Sequence, residues 1–176
     1  MRKLKLEELG RVDLQAYADV PKIPVTVVLD NIRSALNVGS IFRTADALAV
    51  EEIILCGITA QPPHKEINKT AIGATKSVKW TYDSDVSKVI KRARDNGSHI
   101  IGIEQMDKSV KLSDYNCDTS KHIVIILGNE VDGVSDTVIP LLDEAIEIDQ
   151  FGTKHSLNVA VCAGIVMWNL RQAFTT

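Results

Sequence analysis

The chain has 176 residues, is 45% hydrophobic and 24% charged, and carries a formal net charge of −3. That length and balance suit one domain with a sizeable core and exclude a disordered chain. The acidic excess counts against a generic nucleic-acid binder, though not against a local basic face. Cys56, Cys117 and Cys162 are odd in number and far apart, so neither a disulfide framework nor a metal site is expected.

Residues 1–24 read as a short amphipathic lead-in of mixed charge, punctuated by Pro21 and Pro24. It has no apolar signal region, and no apolar run in the chain is long enough to span a bilayer, so a cytoplasmic protein is expected. "VTVVLD" (25–30) is β-branched, apolar and short, the pattern of a buried strand. "NIRSALNVG" follows as a polar loop, then "SIFRTADAL" as a helix with Ser40 as its N-cap. "EEIILCGI" is a second strand. Residues 59–79 have no clean period and set Lys65, Lys69, Lys76 and Lys79 against a single acid, Glu66. "SVKWTY" is a third strand, which makes Trp80 and Tyr82 core or interface residues. In "SDVSKVIKRARDNG", Val86, Val89, Ile90 and Ala93 share one helical face, and Asn96-Gly97 ends the helix. "HIIGIEQ" and "HIVIILG" are strands, "DTVIPLLDEA" a helix interrupted by Pro140, and "AIEID" a last short strand. From Ser156 to Leu170 there is no charged residue. A helix apolar on nearly every side is buried on nearly every side, which places Cys162 in the core.

Strands and helices alternate, which predicts an α/β fold: a mainly parallel sheet with helices on both faces. In such sheets ligands bind beyond the carboxyl ends of the strands. Three polar loops lie there: "DNIRSALNVGS", "GNEVDGVS" and "DQFGTKHSLN". Singly, each has an ordinary reading: Gly128 and Gly133 as turn glycines, Asn31 and Asn37 as turn or capping residues, Arg33 and Arg43 as solvated charges, Ser156 as a helix cap. Together they bring Asn37, Arg43, Asn129, Glu130, Ser156 and Asn158 toward one place. Neither GxGxxG nor a P-loop is present.

Three stretches in order, "NVGSIFRTADAL", "IILGNEVDGVS" and "IDQFGTKHSLNVAV", resemble the motifs of the SpoU/TrmH-type family of the SPOUT class. That family transfers methyl from S-adenosylmethionine to ribose 2′-hydroxyls of RNA. The resemblance covers roughly residues 25–170. It implies residues 25–176 as the catalytic domain, a C-terminal trefoil knot holding the cofactor, and a homodimer that builds its site across two subunits, the apolar helix lying partly against its copy. Arg43 is then the key catalytic residue, supported by Asn37, Glu130, Ser156 and Asn158. Groups at Leu127, Gly128, Asn129, Ile148 and Leu157 hold the cofactor. Asp149-Gln150 stands where the family commonly has Pro-Met, and Ala160 where a Ser is frequent.

RNA needs a positive surface, because phosphate contacts dominate affinity. Arg33, Lys65, Lys69 and Lys154 are the first candidates, with His64, Lys76, Lys79, Arg2, Lys3, Lys5 and Arg11 beside them. A chain little longer than the catalytic core favours tRNA over rRNA as substrate. The competing readings are an RNA-binding or assembly protein that keeps the fold without turnover, and a doubly wound enzyme using another nucleotide cofactor.

Overall fold

A computed structural model describes residues 1–175, Leu6 by its backbone alone; Thr176, the last residue of the expected domain, lies outside the described residues. The strands are β1 (Ile23–Asp30), β2 (Val50–Cys56), β3 (Lys79–Asp83), β4 (His99–Ile103), β5 (Val110–Lys111), β6 (Ile123–Leu127) and β7 (Glu144–Glu147). They form one seven-stranded sheet in the order β3-β2-β1-β6-β4-β7-β5, and each pairing is parallel. The helices are α1 (Leu14–Tyr17), α2 (Ala35–Ala47), α3 (Lys65–Ala71), α4 (Val86–Asp95) and α5 (Val159–Ala173).

Parallel strands are covered on both faces, which is why β6 is a continuous run of Ile, Val and Leu and β1 is apolar and buried along most of its length. The side chains still alternate. Val25, Val27 and Leu29 of β1 join Ile123, Ile125 and Leu127 of β6 in a core shared with α2, α3 and α5. Val28, Val124 and Ile126 face the other way, onto Val86, Val89 and Ile90 of α4. Pro24 has no N–H to give the ladder, and the β1–β2 register shifts between Ile23 and Thr26.

The sequence reading needs five corrections. α2 begins at Ala35, capped by Ser34, whose hydroxyl accepts from Asn37 N–H at 3.3 Å; Ser40 is inside the helix, donating to Leu36 O at 2.9 Å. The aperiodic stretch contains α3 and a 3-10 turn at Ala74–Lys76. The helix expected around Pro140 shrinks to a 3-10 turn, Ile139–Leu141, since proline denies the interior a backbone donor. "HIIGIEQ" leaves the sheet after Ile103. α5 is buried on one face only, through Ala163, Val166, Met167 and Leu170, while Val161, Ile165 and Trp168 stay exposed and Cys162 is half-buried rather than core. No helix among the described residues is long and apolar enough to cross a membrane.

Candidate functional site

β1, β6, β4 and β7 are neighbours in the sheet, and they run in one direction. Their carboxyl ends therefore deliver four chain segments to one edge. A cavity of about 510 Å³ lies there, within the range of small-molecule sites. Leu127, Gly128, Asn129, Glu130, Ile148, Ser156, Leu157 and Asn158 all line it.

Each loop is fixed by its own polar groups and then tied to its neighbour. Asn129 Oδ1 accepts from Val131 N–H at 2.8 Å and Asp132 N–H at 3.2 Å, closing the second loop on itself. Its amide nitrogen donates to Asn31 O at 2.8 Å, joining the second loop to the first. Gly128 is required by close approach: a Cβ there would overlap the backbone of Gly133 and Val134. Asn158, not Ser156, caps α5, its Oδ1 accepting from Ala160 N–H at 2.9 Å and Val161 N–H at 3.3 Å. Ser156 is left exposed at the cavity.

A chain of hydrogen bonds unites the three motifs. Asn158 Nδ2 donates to Asn37 Oδ1 at 3.1 Å, and Asn37 Nδ2 donates to Glu130 Oε1 at 2.9 Å. Glu130 also accepts from the backbone N–H of Arg33 at 2.8 Å and of Ser34 at 3.1 Å. Burial raises the Glu130 pKa, but these donors prevail and hold its carboxyl below the ordinary range. The carboxylate thus stays ionised and pins the entrance of α2.

Arg43 is not brought into this cluster. It is exposed, is absent from the cavity lining, and has no hydrogen-bond or ion-pair partner among the described residues. Six residues beyond Asn37 on α2, it sits about 9 Å along the axis and roughly a third of a turn round from it. The basic candidates Arg33, Lys65, Lys69 and Lys154 are exposed, with no ion-pair partner among the described residues. Lys79, by contrast, pairs with Glu52 at 3.4 Å and Arg2 with Glu8 at 2.5 Å. Trp80 is half-buried edge-on to Phe42, and Tyr82 donates its hydroxyl to Gly57 O at 3.0 Å.

Several lining residues escaped the sequence reading: Glu104, Gln105, Glu147 and Cys162. Glu104 and Gln105 had a signal, since they follow a strand at its carboxyl end, but they were read as part of that strand. The lining holds three carboxylates, Glu104, Glu130 and Glu147, and no lysine or arginine. Among the described residues, no three His, Cys, Asp or Glu side chains converge as a metal site requires.

Residues 24–168 match the model of the SpoU rRNA Methylase family. The chain belongs to that family. Among SpoU-family relatives, it is 29% identical over 149 residues to the 23S rRNA (guanosine-2'-O-)-methyltransferase RlmB of Neisseria meningitidis serogroup B, covering 85% of this chain and 58% of that protein. It is 31% identical over 157 residues to a Staphylococcus epidermidis protein assigned to the TrmH family of tRNA/rRNA methyltransferases, covering 89% and 62%. The chain therefore spans about three fifths of the length of these curated relatives. It superimposes on the A. aeolicus TrmH/SpoU tRNA modifying enzyme with a TM-score of 0.80 at 25% identity, covering 91% of this chain and 81% of that one. For the AdoMet-bound rRNA methyltransferase of Sinorhizobium meliloti the TM-score is 0.79 at 27% identity, covering 89% and 59%. The departure from the SpoU motif at Asp149-Gln150 has a local explanation. Asp149 pairs with Lys111 of β5 at 3.1 Å and is absent from the lining, while Gln150 takes a place in the cavity wall.

Proposed function

We propose that this chain is an S-adenosylmethionine-dependent methyltransferase acting on ribose 2′-hydroxyls of RNA in the cytoplasm. Residues 25–176 are its catalytic domain and residues 1–24 a lead-in. The cavity carries the reading: it lies beyond the carboxyl ends of four neighbouring strands, and apolar side chains and carboxylates line it without a lysine or arginine. Such a wall suits a ligand with an apolar plane and positive charge. It disfavours ATP and NAD, whose phosphates call for cations or a glycine-rich helix entrance. Likeness to a relative solved with AdoMet supports the same choice.

When bound, S-adenosylmethionine supplies an electrophilic methyl on a positively charged sulfur. Groups at Leu127, Gly128, Asn129, Ile148 and Leu157 hold it. Ser156 and Asn158 position the target ribose, while Asn37 and Glu130 fix the first loop. Arg43 cannot act as a base, because a guanidinium stays protonated. It grips the neighbouring phosphate through two parallel hydrogen bonds and favours the developing alkoxide. The hydroxyl proton leaves through that phosphate or water.

Arg43's position outside the cavity of its own chain favours a homodimer, in which one subunit's Arg43 completes the other's site. Arg33, Lys65, Lys69 and Lys154 supply the RNA-facing charge. The order of β7 between β4 and β5 suits a threaded, trefoil-knotted C-terminus. We take tRNA as the substrate, on the likeness to the A. aeolicus tRNA modifying enzyme.

The test is transfer of labelled methyl from S-adenosylmethionine into tRNA and rRNA, with the modified 2′-positions mapped in cells with and without the gene. Arg43→Lys should lower kcat by roughly a hundredfold or more, since lysine cannot reproduce the paired grip. Full turnover in that variant, with unchanged RNA affinity, overturns the assigned role. Cofactor binding without transfer into any RNA would favour the assembly-protein reading.

A further inference from the structure

Glu104 and Gln105 leave β4 at the mouth of the cavity. Glu104 accepts from the backbone N–H of Val134 at 3.2 Å through Oε2 and from that of Gln105 at 2.9 Å through Oε1. Gln105 Nε2 donates to His155 O at 2.8 Å. The pair thereby ties the second loop on one side and the third on the other. A Cβ on Gly133 would overlap Glu104 Oε2, so the glycine leaves room for this carboxylate.

The two oxygens of Glu104 accept from two separate backbone donors, which a carboxylate serves and a neutral amide, with a single oxygen, does not; these bonds fix the carboxylate at the cavity wall. Glu104 is half-buried, and among the described residues it has no cationic partner. A carboxylate in the cavity wall with no cation of its own attracts a positively charged ligand. Its field enters the cavity: the lining Cys162 thiol is pushed up to about 11, first by burial and then by Glu104.

We propose that Glu104 is a specificity-determining residue, favouring the cationic sulfonium of S-adenosylmethionine over the neutral thioether that remains once the methyl has gone. This rests on the cofactor assigned above. The attraction ends with the transfer, which speeds exchange of product for fresh cofactor.

Calorimetric titration of the full chain with S-adenosylmethionine and S-adenosylhomocysteine tests it. Glu104→Gln keeps an acceptor for Val134 N–H and removes the charge. It should weaken S-adenosylmethionine about tenfold more than S-adenosylhomocysteine, while the lost Gln105 N–H bond bears on both ligands alike. Gln105→Leu, which removes a neutral tie, should weaken both ligands by the same factor. Equal weakening of the two ligands by Glu104→Gln overturns the proposal, as does the same shift in ratio from Gln105→Leu. The wild type offers an independent readout: sinefungin, with an ammonium in place of the sulfonium, should rank with the charged ligand. If it ranks with the thioether, the charge is not being read. A wild type that binds none of the three removes the cofactor assignment itself, a different failure from a changed ratio.

Discussion

At Glu130 one carboxylate accepts three hydrogen bonds from the entrance of α2. Burial opposes its ionised form, but the donors win, and the folded pKa is depressed. Such a group stabilises the fold fully above its unfolded pKa, about 4.3, and the contribution is lost as pH falls through the lower folded value. Glu130→Gln should therefore lower the melting temperature at pH 7 by about 2–4 °C, and by progressively less as pH falls below about 4 toward the folded value. Thermal melts across a pH series decide it, and an equal loss at every pH denies the linkage. At this scale Asn37, Glu130 and Asn158 were legible because three polar loops follow strands at one sheet edge and resemble, in order, the motifs of one family. Glu104 and Gln105 were not. Where a strand stops depends on which backbone groups find partners, and no spacing rule reports that a side chain will turn back to Val134 N–H.

Between α2 and α3 the decisive residue is Gly39. A Cβ there would overlap Thr70 Oγ1 and the Ile67 carbonyl, and Thr70 donates to Leu36 O at 2.9 Å across the same contact. In an unconstrained helix Gly→Ala adds about 0.5–1 kcal/mol of stability. Here Gly39→Ala should instead cost about 1–3 kcal/mol through overpacking, read by urea unfolding. It should also weaken RNA binding, because α3 carries Lys65 and Lys69. A stabilised variant would mean that the two helices do not need this approach. The same glycine hid the first turns of α2 from sequence reading. Asn37 and Gly39 are poor helix formers, and only the Ser34 cap and the tertiary contact make them helical. Elements with strong periods, such as α4 with Asp85 accepting from Ser87 N–H at 3.0 Å, were readable almost to their ends. α3, with Ile67 and Ala71 as its buried residues, offered too little pattern. Among the described residues, two-residue β5 pairs with β7 alone.

For the whole molecule, the parallel α/β sheet was legible because both faces demand long apolar strands. The exposed face of α5 was legible only through the family resemblance, because by its pattern a charge-free helix reads alike whether its second face meets its own core or another chain. Val161, Ile165 and Trp168 form an exposed apolar stripe at helical spacing. We expect the 19.3 kDa chain to sediment as a dimer and Trp168→Arg to sediment as a folded monomer with little transfer activity. Wild-type sedimentation as a monomer at micromolar concentration would remove the shared site. The strand order also sets a timetable. Among the described residues β5 takes its ladder from β7 alone, and β7 also closes onto β4. A ribosome releases Val110 well before Glu144, so that edge waits unpaired while synthesis continues, and the floor provided by Ile146 and Ile148 arrives later still. A nascent chain stalled short of β7 has no finished cavity, and the moment of competence is set by the codons from Glu144 to Cys162.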